Sequence, residues 1–223
     1  VAGNSAEVLV GSSSLTFTSS NWNVPQSVVL TGVDDALADG DITSLVTISV
    51  ESNAAFPFRL TASQQVAVRN IDNDVAQLVI ATTNGNTSVS ESGTFDDLLI
   101  SLSTQPVGNV VIRLTSSDTG EAIVETSSLT FTAANWNTPQ VVRVQGINDS
   151  IADGTQAVAV TASVDSALSS GTYATAASAT TTVNVIDNEV AALQIAETSD
   201  QTVVSENGPT DTFSVALTSQ PFG

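Results

Sequence analysis

The residues best suited to chemistry are carboxylates. Glu91, Asp118, Asp149, Asp153, Asp187 and Glu189 stand among Gly, Ser and Asn at the ends of apolar runs. A second set, Asp34, Asp35, Asp39, Asp72 and Asp74, stands in the same kind of phrase nearer the N-terminus. Several such oxygens gathered at one place suit Ca²⁺, which takes roughly six to eight oxygen ligands in a flexible shell. The chain has no His and no Cys, so zinc and copper lack their usual ligands. Asp and Asn also bond nearby backbone in turns and cap strands with no metal at all. The residues alone leave both readings open.

What must position these groups is visible as a repeat. LTFTSSNWNVPQ (15–26) returns as LTFTAANWNTPQ (129–140), with nine of twelve residues identical at an offset of 114. GVDDALADGD (32–41) matches GINDSIADGT (146–155). NIDNDVAQLVIA (70–81) matches VIDNEVAALQIA (185–196) at an offset of 115, as do VSESG and VSENG, and LSTQPVG and LTSQPFG. A period of about 115 residues is longer than a solenoid unit and has the size of a whole domain. One complete copy is expected over 75–189. Residues 1–74 hold a copy without its opening strands, and 190–223 hold only the opening of another. With no initiator Met and no signal peptide, the chain is expected to be a piece of a longer one.

The complete copy contains about seven runs with strand character: 76–82, 97–103, 109–116, 128–132, 140–147, 156–164 and 179–186. They are rich in Val, Ile and Thr, and most alternate apolar with polar residues. Val110, Ile112 and Leu114 fall on one face, as do Val142, Val144 and Gly146. Gly, Pro, Asn and Asp punctuate the gaps. The expectation is all-β: tandem immunoglobulin-like Greek-key β-sandwiches. Alternate loops of such a sandwich gather at one end, which would bring Glu91, Asp118, Asp149, Asp153 and the Asp187–Glu189 exit together. The Asn-Trp-Asn phrase falls in a connecting loop, where Asn serves the turn and the indole is expected to cover core residues. Phe56-Pro57-Phe58 is the best candidate for an exposed binding patch, although filling its own core is the expected role.

Bulk composition excludes more than it includes. Four cations face twenty-three Asp and Glu, a net charge of −19. No cluster of cations exists to displace the counterions of nucleic acid or to meet an anionic membrane. No apolar run approaches the roughly 20 residues of a membrane-spanning helix. Without His, Cys or Lys, the common bases and nucleophiles are missing, and no enzyme is expected. Only 12 % of residues are charged, so Ser, Thr, Asn and Gln must supply most of the solvated surface.

The order VSE-x-G, SSDTGEA, LTF, V-x-G-x-(D/N)-D-x-x-x-D-G and V-x-V-I-D-N-E resembles the Calx-β domain, and LTFT..NWN.PQ is most similar to the tandem repeats of large bacterial surface and secreted proteins. The resemblance covers the whole chain. It implies a calcium set on Glu91, Asp118, Asp149, Asp153 and Asp187. The acidic pair after the fifth strand is Asp34-Asp35 in the first copy and Asn148-Asp149 in the second. The terminal triplet is Asp72-Asn73-Asp74, then Asp187-Asn188-Glu189. Asn4 replaces Asp118 in the first copy. Each Asn removes a charge and keeps an oxygen, so weak binding is implied, at roughly 10⁻⁴ to 10⁻³ M for an extracellular module.

The function expected is a non-catalytic extracellular or cell-surface repeat, bacterial in origin, building a stiff adhesive stalk or fibre with Ca²⁺ at its acidic loops and joints. Its partners would be neighbouring repeats and a surface or matrix ligand. Two alternatives accompany it: a filament whose incomplete ends exchange strands head to tail, and a carbohydrate- or protein-binding module.

Overall fold

Val, Ile and Thr fill the runs that become strands, because β-branched side chains are stiff and fit a pleated surface. The computed structural model describes residues 1–83 and 85–221. Phe222 and Gly223, which end the LTSQPFG phrase and the expected 190–223 segment, lie outside the described residues. The strands are β1 (Val8–Val10), β2 (Leu30–Gly32), β3 (Ile42–Ile48), β4 (Gln64–Asn70), β5 (Leu78–Thr82), β6 (Thr87–Ser90), β7 (Phe95–Leu102) and β8 (Val110–Ser116). They continue as β9 (Ala122–Val124), β10 (Ser128–Phe131), β11 (Gln140–Gly146), β12 (Gln156–Val164), β13 (Ala179–Ile186), β14 (Leu193–Glu197) and β15 (Phe213–Leu217). Among the described residues, no helix is long and apolar enough to cross a membrane.

Two sheets face each other between Leu78 and Ile186. One has the order β10-β8-β12-β13-β6, the other β5-β7-β11-β9. Pairing is antiparallel except between β6 and β13, which run parallel. The inward residues of both sheets, among them Leu98, Ile100, Val110, Ile112, Phe131, Val142, Val144, Val160 and Val183, form a single buried cluster. Each is worth about 1.5–3 kcal/mol of burial. Tyr173, in a short 3₁₀ turn before β13, is also buried; its hydroxyl donates to the Thr104 carbonyl and accepts from the Thr104 N–H, both at 3.0 Å.

The seven expected runs all contain strands. The structure adds β6 and β9, which are four and three residues long. Both are too short to show periodicity, and β6 (Thr-Ser-Val-Ser) is largely polar; it exists because it finds an edge on β13.

The flanking segments repeat parts of this arrangement in the same registers. Val8 pairs with Gly32 as Ala122 does with Gly146. Ile42 pairs with Asn70 as Gln156 does with Val185. Leu193 pairs with Leu217 as Leu78 does with Leu102. What they lack is cover. Among the described residues, the flanking strands form two-stranded sheets only, and none pairs with a strand in the way that β10 pairs with β8. Leu15–Phe17, which match Leu129–Phe131, are accordingly not a strand.

The Asn-Trp-Asn loop separates local from tertiary causes. In both copies the first Asn closes the same turn: Asn135 Oδ1 accepts the Thr132 N–H at 2.6 Å, and Asn21 Oδ1 accepts the Thr18 N–H at 2.5 Å. The indole differs. Trp136 packs against the buried cluster, and its carbonyl accepts the Leu102 N–H at 2.9 Å. Trp22 is 71 % exposed, so the expected core cover holds in the complete copy and fails in the first, where no strand matching β7 lies beneath it. Phe56 and Phe58 are likewise exposed. The expectation that they fill their own core is corrected, although Tyr173, which matches Phe58, does fill one.

Candidate metal centre

Four chain segments converge at one end of the complete sandwich. The turn after β6 carries Glu91, the β8–β9 turn carries Asp118 and Glu121, the β11–β12 loop carries Asp149 and Asp153, and the exit from β13 carries Asp187 and Glu189. Glu91 is turned inward by its backbone. Its N–H donates to the Ile186 carbonyl at 3.1 Å, and Gly93 follows with φ +85°, where a side chain would be strained. Gly146 makes room, since a Cβ there would lie 2.3 Å from the Ser90 carbonyl oxygen.

One carboxylate oxygen from each of Glu91, Asp149 and Glu189 lies within 4.8 Å of the others. Glu91 is 1 % exposed. Its Oε2 is buried without a hydrogen-bond partner, and so are Glu189 Oε2 and Glu121 Oε2. An unpaired buried polar atom is expensive, and a buried charge more so. A hard cation between these oxygens would satisfy them, and the all-oxygen donor set fits one.

The other carboxylates have different duties. Asp187 accepts backbone N–H groups from Gly154 at 2.6 Å and Glu189 at 2.7 Å; these bonds hold its carboxyl below the usual range. It ties the β11–β12 loop to the exit strand. Asp149 Oδ1 accepts the Ile151 N–H at 2.7 Å, shaping its own loop while its carboxylate faces Glu91. Asp118 Oδ1 accepts the Gly120 N–H at 2.9 Å, and Asn4 does the same for Ala6 at 3.1 Å. Asp118, Asp153 and Asp187 are outside the tight group.

Glu121 was not among the sequence candidates. It immediately precedes β9, and the signal was the acidic residue before buried Ala122 in SSDTGEA. Burial raises its carboxyl pKa, with the charges of Asp153, Asp149, Asp118 and Asp187 adding to the shift.

In the first copy Glu7 matches Glu121, but Asn70 Nδ2 donates to Glu7 Oε2 at 3.0 Å. Glu7, Asp34, Asp35, Asp39, Asp72 and Asp74 line a cavity of about 280 Å³. Asp72 accepts the Gly40 N–H at 2.7 Å and Asp35 the Leu37 N–H at 2.8 Å, as their counterparts do. The pKa of Asp39 is raised by burial, then by Asp35, Glu7 and Asp72; that of Asp74 by burial, then by Asp72, Asp34 and Asp35. Among the described residues, the carboxylates of this copy do not converge as closely as Glu91, Asp149 and Glu189 do.

Glu91 gives a pH prediction for the metal-free chain. Burial first, then a hydrogen bond to Glu189 that only the protonated carboxyl can donate, and the charges of Asp149, Asp187 and Glu189, push its pKa from 4.5 to about 7. The folded state therefore holds a proton that the unfolded state has released between these values. Stability conferred by that proton is full below pH 4.5 and is lost as pH rises to about 7, amounting to at most about 3 kcal/mol. Melts in chelator should show a falling midpoint across this window; a midpoint rising from pH 5 to 7 would contradict it.

No protein-family model matches the chain, and no curated protein does. Solved structures resemble it loosely. The S-layer protein rSbsC(31–844) is 14 % identical, covering 85 % of this chain and 26 % of its own, with a TM-score of 0.36. WR4, a C. elegans MSP family member, is 11 % identical over 48 % of this chain and 96 % of its own, at 0.33. Dimeric latent PorU from Porphyromonas gingivalis is 16 % identical over 72 % of this chain and 13 % of its own, at 0.33. Likeness at this level carries no argument about activity.

Proposed function

We propose that the chain is a run of Calx-β-like repeats, immunoglobulin-like in topology, that serves as a non-catalytic extracellular spacer and binds Ca²⁺ at the Glu91–Asp149–Glu189 end of its complete copy. The observation that carries the reading is Glu91: fully buried, with a carboxylate oxygen that no protein donor satisfies, facing two further carboxylates. A turn carboxylate has backbone partners, as Asp187 and Asp118 do; Glu91 Oε2 has none. Glu121 and Asp187 adjoin the group and enlarge its negative field. The net charge of −19 suits a saline exterior with abundant divalent cation. Sandwiches that follow one another with no spacer suit a stalk on a cell surface or in a matrix.

The filament reading has no specific observation that favours it. Exposed aromatics do not favour a sugar-binding module either: Trp22 and Phe58 occupy positions whose counterparts serve the core, Trp136 packing against it and Tyr173 within it.

The test is a thermal melt of the chain in chelator and then at rising millimolar Ca²⁺, with Mg²⁺ as control. A ligand bound only by the folded state adds RT ln(1 + [L]/Kd), about 2.7 kcal/mol at a hundredfold excess. The expected result is a rise of the main transition with Ca²⁺ beyond that with Mg²⁺. A flat response returns these carboxylates to turn chemistry.

A further inference from the structure

Successive copies touch at two places, and the two contacts match. The Gln105 N–H donates to the Ala36 carbonyl at 2.7 Å, and the Gln220 N–H donates to the Ser150 carbonyl at 2.6 Å. Each bond belongs to a parallel bridge, Leu37 with Gln105 and Ile151 with Gln220. Ala36 and Ser150 occupy the same place in the DDALADG and NDSIADG phrases, and Gln105 and Gln220 precede Pro in STQP and TSQP. Side chains differ at the accepting carbonyls, so what recurs is a main-chain register. At the first junction a side chain joins in: Thr172 Oγ1 donates to the Ala38 carbonyl at 2.6 Å, and Ala38 is buried.

Both halves are shaped before they meet. On the loop, Asp35 and Asp149 each accept the N–H two residues on, from Leu37 and Ile151; the turn so made presents the carbonyl between them. On the receiving side, Thr104 is pinned by the buried Tyr173 hydroxyl, and Pro106 limits the backbone after Gln105. Pre-shaped partners lose little entropy on docking, and strand-like addition through main-chain bonds tolerates sequence change.

We infer that the loop before each Ala-Asp-Gly is a docking tongue, that its partner is the Gln-Pro segment of the following repeat, and that this clasp fixes the angle between repeats without a metal ion. The tongue and the acidic group share Asp149, but every bond of the clasp is made by the protein alone. The inference therefore stands whether or not the proposed Ca²⁺ site is real, and the two fail separately.

The chain has no cysteine, so Gln65→Cys and Thr115→Cys, both at exposed positions on strands of adjoining copies, can carry spin labels for distance measurement. A narrow distribution is expected in chelator, unchanged by Ca²⁺. It should broaden with Gln105→Pro, which deletes the donor, and with Thr172→Val, which keeps the side chain's shape and deletes the hook. In the unlabelled chain, amide exchange at Gln105 should be slowed about tenfold or more relative to open loops. A broad distribution in the parent chain, or one that narrows only with Ca²⁺, overturns the inference. So does an unprotected Gln105 amide. If Gln105→Pro disturbs the Tyr173 contact, Thr172→Val and the exchange measurement still decide.

Discussion

Phe131→Ala is expected to destabilise the chain's main unfolding transition by about 3–5 kcal/mol, whereas Phe17→Ala shifts it by less than about 0.5 kcal/mol. The two residues occupy the same place in the LTFT phrase. Phe131 is fully buried, on a strand paired to β8, and its ring fills the space between the sheets. Removing it leaves a cavity that neighbouring strands cannot close without breaking their ladders. Phe17 is 53 % exposed and belongs to no strand, so little is lost with its ring. Denaturant melts of the two variants, followed by Trp fluorescence and circular dichroism, make the comparison. Equal losses would mean that the first copy builds a core of its own, and the account of its exposed apolar residues would then be wrong.

That pair also shows where sequence reading reaches its limit. The repeat located every long strand, because alternation and turn residues are local signals. Asn21 and Asn135 close the same turn in either context, since an Asx-type bond needs only the residues beside it. Burial of Trp136 and exposure of Trp22 depend on whether other strands are present to be covered, and no local pattern in an identical phrase records that. β6 and β9 escaped for a related reason: strands of three or four residues owe their existence to an edge elsewhere. At the acidic end, spacing was enough to nominate Glu91, Asp149 and Glu189. It could not rank them above Asp118, Asp153 and Asp187, because the difference lies in whether backbone N–H groups already occupy the oxygens. Glu121 went unnoticed because β9, the strand it leads into, did.

Glu91→Gln is expected to have opposite effects with and without cation. In chelator at pH 8 the parent chain holds an ionised carboxylate away from water, beside Asp149 and Glu189. Gln has nearly the same shape and no charge, so the variant should be more stable by about 1–3 kcal/mol. Well below pH 4.5 the parent carboxyl is protonated in both states, and the advantage should vanish. In millimolar Ca²⁺ the order should reverse: the parent gains the linkage energy of a bound cation, while the variant, without the buried anionic oxygen, gains little. Asp165→Asn is the control for charge removal as such. Its partner Arg113 sits 2.9 Å away at the surface, where a pair is worth at most about 1 kcal/mol, and its effect should not depend on Ca²⁺. The decisive quantity is the difference between Ca²⁺-induced shifts in parent and Glu91→Gln chains. Equal shifts would place the cation elsewhere, and a Gln variant less stable in chelator would make Glu91 a satisfied structural residue. A lost shift with a gain in chelator leaves one explanation: the fold holds strain in that carboxylate cluster, and a cation relieves it.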